Sequence, residues 1–247
     1  MTLAKYFSDQ SRNNEYRLRD LVLPALIVVV PSLLIIKEPD LGTAILVLAV
    51  ASSMILLFRV NIKSIAIVCL SVIAGAPLIW TQLKEYQQMR IISFLKPEMD
   101  PLGSGYHIAQ SKIAIGSGQF LGKGFLKGTQ TRLHFLPEQH TDFAFSVLGE
   151  EWGFLGSLVL LILFLMLVLW GLAIARNSKD KFGAMMAVGI VAIVFWQVVI
   201  NVGMVTGLLP VVGIPLIFIS YGGSSMVTMM AALGLLMNIS MRRFMFQ

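Results

Sequence analysis

One cysteine, three histidines and 13 acidic residues in 247 positions leave few chemistries open. Cys69 stands alone in an apolar run, so the chain has no internal disulfide and no cysteine metal cluster. The histidines, at 107, 134 and 140, show no zinc-ligand spacing. There is no GxxxxGK[ST] phosphate loop to hold a nucleotide. Charged residues make up 13% of the chain, against about 25% in an ordinary soluble domain. The net charge of +6 comes from dispersed Lys and Arg without interleaved aromatics, which argues for membrane topology and against nucleic acid. The polar stretch YFSDQSRNNEYRLRD soon after Met1 is unlike a cleavable signal peptide.

Long apolar runs are what the chain has in abundance. They fall at about 20–36, 43–59, 64–81, 153–175, 183–206 and 224–241, each near the ~20 residues that cross a bilayer as a helix. The expected fold is an all-α polytopic membrane protein with about six transmembrane helices, forming a single transmembrane domain over 1–247. The first run carries Pro24 and Pro31, which membrane helices tolerate when neighbours satisfy the freed backbone groups. Asp40 opens the second run as a helix cap, and Trp80 closes the third as an interfacial anchor.

Residues 82–141 form the single long loop, and a loop of that length implies function. Tyr106, Ile108, Ile113 and Ala114 predict a short amphipathic helix at the interface. Gly116, Gly118, Gly122, Gly124 and Gly128 then interrupt regular structure and would let the backbone approach a ligand closely. The later segment SYGGSS, 220–225, reads as a tight or re-entrant turn covered by protein.

Counting cations on alternate sides orients the chain. Eleven lie on the side of the termini, among them Lys5, Arg59, Lys63, Arg176 and Arg242; the opposite short turns carry only Lys37. By the positive-inside rule both termini face the cytoplasm and the 82–141 loop faces outward. A nucleotide would then lie on the wrong face, so the substrate should carry its own activation.

At the end of that loop LHFLPEQHTDFAFSVLGEEWG, 133–153, gathers Glu138, His140, Asp142, Glu150 and Glu151 at a water–membrane boundary. Ionisable groups at such depth are expensive and read as functional. With a helix starting near Phe143, Asp142 takes the N-cap position. It is equally placed to serve as a general base whose pKa burial and neighbours tune, and the two roles are compatible. Glu138, His140 and Asp142 alternate, so an extended stretch would align them on one face, as orienting partners or as a cation site. No cofactor is required by the sequence, but Mg²⁺ held by one or two carboxylates and phosphates fits this set. Lys112, Lys123, Lys127 and Arg132 read either as solvated loop cations or as the holders of an anionic headgroup such as a pyrophosphate.

The wording of DPLGSGYHIAQSKIAIGSGQFLGKGFLKGTQTRLHFLPEQHTDFAFSVLGEEWG closely resembles the SEDS family, and GTQTRLHFLPEQHTDF its RodA-like elongation branch. EPDLGTA (38–44), NVGMVTGLLPVVGIPLIFISYGG (201–223) and the Arg-ended last run extend the resemblance, in order, over essentially the whole chain. It implies the C-terminal part of a SEDS fold, and a peptidoglycan glycosyltransferase that polymerises lipid II at the outer face of the bacterial cytoplasmic membrane during elongation. It also implies a class B penicillin-binding protein as partner. The essential aspartate of the family's HTDF motif falls on Asp142, and the pyrophosphate leaving group supplies the activation. The family usually has about ten membrane helices, so the resemblance implies that the first four, with part of the cavity wall, are absent here. Gln119 and Ala144 stand where the family usually has Gly and Ile. The alternatives from other classes are a flippase for lipid-linked precursors and an inactive scaffold for the penicillin-binding partner.

Overall fold

The structure is a computed structural model that describes residues 1–9, 18–56, 66–67, 70, 74–75, 77, 80–96, 100, 103–133, 135 and 140–242. Its elements are helices α1 (Thr2–Asp9), α2 (Val22–Lys37), α3 (Leu41–Leu56), α4 (Glu85–Leu95), α5 (Ser104–Ser117), α6 (Thr129–Arg132), α7 (Ala144–Asn177), α8 (Lys181–Thr206) and α9 (Gly223–Arg242), with a short 3₁₀ turn at Leu18–Leu21. No strand occurs among the described residues, and the chain has the all-α polytopic membrane fold expected.

Three of these helices, α7, α8 and α9, are long and apolar enough to cross a membrane. Helices α2 and α3 are apolar but only 16 residues each, and match the first two expected spans. The third expected span, 64–81, lies largely outside the described residues.

The described residues group into two compact units. One comprises 1–88, 171–193 and 234–247; the other 89–170 and 194–233. In the first, α2 packs against α3. Asp40 caps α3, its carboxylate accepting the Thr43 N–H at 2.9 Å and the Thr43 hydroxyl at 2.6 Å, as the sequence predicts. The outer faces of α2 and α3 expose Leu26, Val30, Leu33, Leu34, Ile45 and Leu48, the composition of a lipid-facing surface.

The second unit carries the long loop. Helix α5 buries Gly105, Ile108, Ser111 and Ala114, one stripe at a spacing of three, and exposes Lys112 and Ile113. The predicted amphipathic helix therefore forms and runs further in both directions. Its Ser111 hydroxyl donates to the Val205 carbonyl at 2.6 Å and pairs with the Ser146 hydroxyl at 2.8 Å, tying α5 to α7 and α8. Buried hydroxyls need such partners.

Helix α7 begins at Ala144, two turns before the apolar run, and its backbone breaks at Gly153 (φ 65°, ψ −161°). That is the residue where the sequence places the start of the membrane segment. The left-handed φ favours glycine, and the break frees backbone groups that an unbroken helix would pair internally.

Candidate active site

The loop after α5 supplies what the break at Gly153 leaves open. The Glu150 and Glu151 carbonyls accept the N–H groups of Lys123 and Gly124, each at 3.0 Å. In return the Phe154 and Leu155 N–H groups donate to the Gln119 and Phe120 carbonyls, at 2.9 and 3.1 Å. Gly122 (φ 79°) lies so close to the Glu151 carbonyl that any Cβ there would collide with it. The glycine-rich stretch is thus spliced into a broken helix, so its glycines serve close backbone approach to protein.

Side chains reinforce the splice. Glu150 is fully buried, and its carboxylate accepts from Lys123 Nζ (2.7 Å), the Gln130 N–H (3.0 Å) and the hydroxyls of Thr129 (3.1 Å) and Thr131 (3.2 Å). Lys123 also donates to the Thr129 hydroxyl at 2.7 Å. A buried carboxylate is tolerable only with such pairing. Lys123 is therefore paired with an internal partner.

Asp142 lies in the turn 140–143, half-buried. The Phe143 carbonyl accepts the Ser146 N–H at 2.9 Å, so Phe143 occupies the capping position and Asp142 stands one residue before it. The shift by one follows from where the first helical bond forms, and it leaves the carboxylate placed by the turn. Asn201, a fully buried residue of α8, donates its amide to the Asp142 carbonyl at 2.9 Å and to the Ile214 carbonyl at 2.7 Å. Gly213 (φ 74°) lies against the Asp142 carboxylate, which a Cβ at that position would meet at 3.3 Å. The Tyr221 N–H donates to the His140 carbonyl at 2.8 Å. The charge-free segment 207–222 thus wraps the Asp142 turn and holds it from two sides.

Beside this turn is a cleft of about 720 Å³, lined by His140, Glu151, Trp152, Ser220 and Tyr221 at polar or aromatic positions and by Ala144, Val147, Leu148, Phe218, Ile219 and Met226. Glu151 is buried in its wall, while His140 is exposed. Of the other sequence-predicted residues, Lys112 lays its amine over the Gly207 turn. Lys127 and Arg132 are exposed on the loop. Glu138 lies outside the described residues. Among the described residues no group of three His, Cys, Asp or Glu side chains stands together as a metal site.

Asn201 and Gly213 escaped the sequence reading as site residues. Asn201 carried a signal: with Gln197, one helical turn before it, it is one of two amides in the otherwise apolar run from Phe182 to Val205. A polar side chain at that depth calls for a partner. Gly213 carried none.

An aspartate clamped at a membrane-helix start, beside a cleft and on the helix that the glycine loop is spliced into, can be set against known proteins. Residues 1–244 match the cell cycle protein family of FtsW, RodA and SpoVE. The chain belongs to that family. It is 46% identical over 227 residues to the Escherichia coli K12 peptidoglycan glycosyltransferase MrdB, covering 92% of this chain and 61% of that protein. It is 49% identical over 174 residues to the peptidoglycan glycosyltransferase RodA of Treponema pallidum, covering 70% and 40%. Among solved structures it is similar to a chain described under structural coordination of polymerization and crosslinking by a peptidoglycan synthase complex, with a TM-score of 0.80 and 30% identity over 98% of this chain and 67% of that one. The chain thus spans about three fifths of the length of its Escherichia coli relative. The FtsW/RodA/SpoVE membership bears out the SEDS resemblance carried by HTDF and its flanks.

Proposed function

We propose that this member of the FtsW/RodA/SpoVE family is a peptidoglycan glycosyltransferase of the bacterial cytoplasmic membrane, with Asp142 as general base. It polymerises lipid II on the outer face, works beside a class B penicillin-binding protein, and keeps both termini in the cytoplasm. The observation that carries the reading is the clamped Asp142 turn. A base must hold its geometry within a fraction of an ångström to be effective, and here Asn201, Gly213 and Tyr221 restrain the turn from separate directions.

In this reaction Asp142 takes the proton of the acceptor sugar's 4-hydroxyl. The freed oxygen attacks the anomeric carbon of the donor, the bond to the lipid pyrophosphate breaks with inversion, and the pyrophosphate departs with the electron pair. Lys112, Lys127 and Arg132 are the loop cations available to the charge developing on that leaving group. Lys123 acts at one remove, holding the loop through Glu150. His140 lines the adjoining cleft, which suits it to orient a sugar hydroxyl, and Glu138, two residues earlier in the sequence, is the second candidate for that role.

Lipid II polymerisation by the purified chain with a class B penicillin-binding protein, run beside Asp142→Asn, tests the proposal. Polymer from the chain and none from the variant is the expected result. Equal polymer from both removes Asp142 as the base. Transbilayer movement of lipid II that survives Asp142→Asn, without polymer, assigns the chain to transport.

A further inference from the structure

We infer that the turn 119–126 is an interfacial wedge whose partner is the lipid leaflet itself. Four large apolar side chains stand out from it: Phe120 (62% exposed), Leu121 (74%), Phe125 (69%) and Leu126 (61%). On a water-facing loop such a patch would invite aggregation. Leu126, at φ 57°, occupies a backbone conformation where glycine or asparagine is usual, and so presents a bare isobutyl group where a polar residue would suit water.

The backbone makes the same point independently. A loop in water can leave its N–H and C=O groups to solvent, whereas one bordering hydrocarbon must satisfy them within the protein. In this turn the carbonyls of Gln119 and Phe120 and the N–H groups of Lys123 and Gly124 all bond to the backbone of α7 around its break. The Gly122 N–H bonds to the Gly118 carbonyl at 2.8 Å, and the Lys127 N–H to Gly124 at 3.0 Å. Lys123 turns its charge inward onto Glu150.

Continuity names lipid as the occupant. The Phe120 ring stacks on Phe154 at 5.7 Å between centroids. Phe154 begins an exposed apolar face of α7 that continues through Leu155, Leu158 and Ile162, and α7 is long enough to span the membrane. The turn therefore shares the depth of the first membrane turns of α7. Trp152, exposed beside them, is the kind of residue that marks the headgroup level. Lys127 and Arg132, exposed at the wedge's flank, suit the phosphate layer. Neither observation depends on the reaction proposed above.

The test uses the full chain in phosphatidylcholine–phosphatidylglycerol vesicles. In a Cys69→Ser background, single cysteines replace Leu121, Phe125 or Lys127 and carry an environment-sensitive fluorophore, with Leu163→Cys as the reference within the span. Lipids bearing a nitroxide near the carbonyl should quench labels at 121 and 125 several-fold more than the label at 127, while aqueous iodide should show the reverse order. Iodide quenching at 121 and 125 equal to that at 127 would overturn the wedge. So would labels at 121 and 125 shielded from iodide and from nitroxide lipid alike, since a protein segment would then cover the patch.

Discussion

Two connecting segments, 118–131 and 207–222, face the same difficulty and answer it with different chemistry. Both are rich in glycine, and both rest on helices long enough to cross a membrane. The first is held by a buried ion pair: Glu150 collects Lys123, two threonine hydroxyls and the head of α6. The second has no charge at all, and is held by one buried amide, Asn201, bridging the Asp142 and Ile214 carbonyls. Lys123 keeps about a quarter of its side-chain surface in contact with solvent, whereas Asn201 has none. A charge pair is affordable where one member reaches water; where neither partner does, a neutral amide avoids the desolvation cost of an ion.

The comparison breaks most sharply at Glu150. Glu150→Gln leaves the Lys123 ammonium without its counter-charge and sets an amide N–H₂ among donors, so it should destabilise the protein by about 3 kcal/mol. Thermal unfolding in detergent should show the loss, and Lys123→Met in the same chain should restore part of it. No restoration would mean that the hydrogen bonds, and not the charge, hold the loop.

Asn201→Leu should cost less, about 2 kcal/mol, because two buried carbonyls lose their donor while the unpartnered Asn201 Oδ1 is relieved. Its signature should be functional. If the proposed reaction is right, polymerisation should fall through the turnover rate with little change in substrate affinity, because the Asp142 turn loosens. An affinity loss of equal size would place Asn201 in substrate binding instead.

The smallest effect sharpens the contrast on a third fastening. Burial pushes the Asp100 carboxyl up, but the Ser93 hydroxyl at 2.9 Å, the Gly105 N–H and the Ser104 hydroxyl together outweigh it and hold the group below its ordinary value. A depressed folded pKa contributes stability above the unfolded value and loses it as pH falls through the folded one. Amide-exchange protection at the head of α5 should therefore fade as pH drops below about 4, with Asp100→Asn flattening the dependence.

Much of the molecule was legible from local pattern alone. Apolar runs marked α2, α3, α7, α8 and α9, because partition between water and hydrocarbon depends on composition over a window of residues. Asp40 was readable as a cap since its partner lies three residues away. The HTDF wording singled out Asp142, and the scarcity of carboxylates made the cluster around it conspicuous. The Glu150 partner of Lys123 was not legible for a matching reason: nothing local distinguishes a solvated lysine from one aimed at a carboxylate.

Tertiary structure decided what those residues face. Glu150 meets Lys123 across 27 positions of sequence, and Asn201 meets the Asp142 carbonyl across 59. The break at Gly153 could be placed from sequence only as a boundary; that the 119–124 loop fills it required the fold. Composition and periodicity report the medium around a residue, because each side chain meets solvent or lipid on its own account. Which donor meets which acceptor depends on the path of the whole chain, and that is why the membrane helices were written locally while the restraint on Asp142 was not.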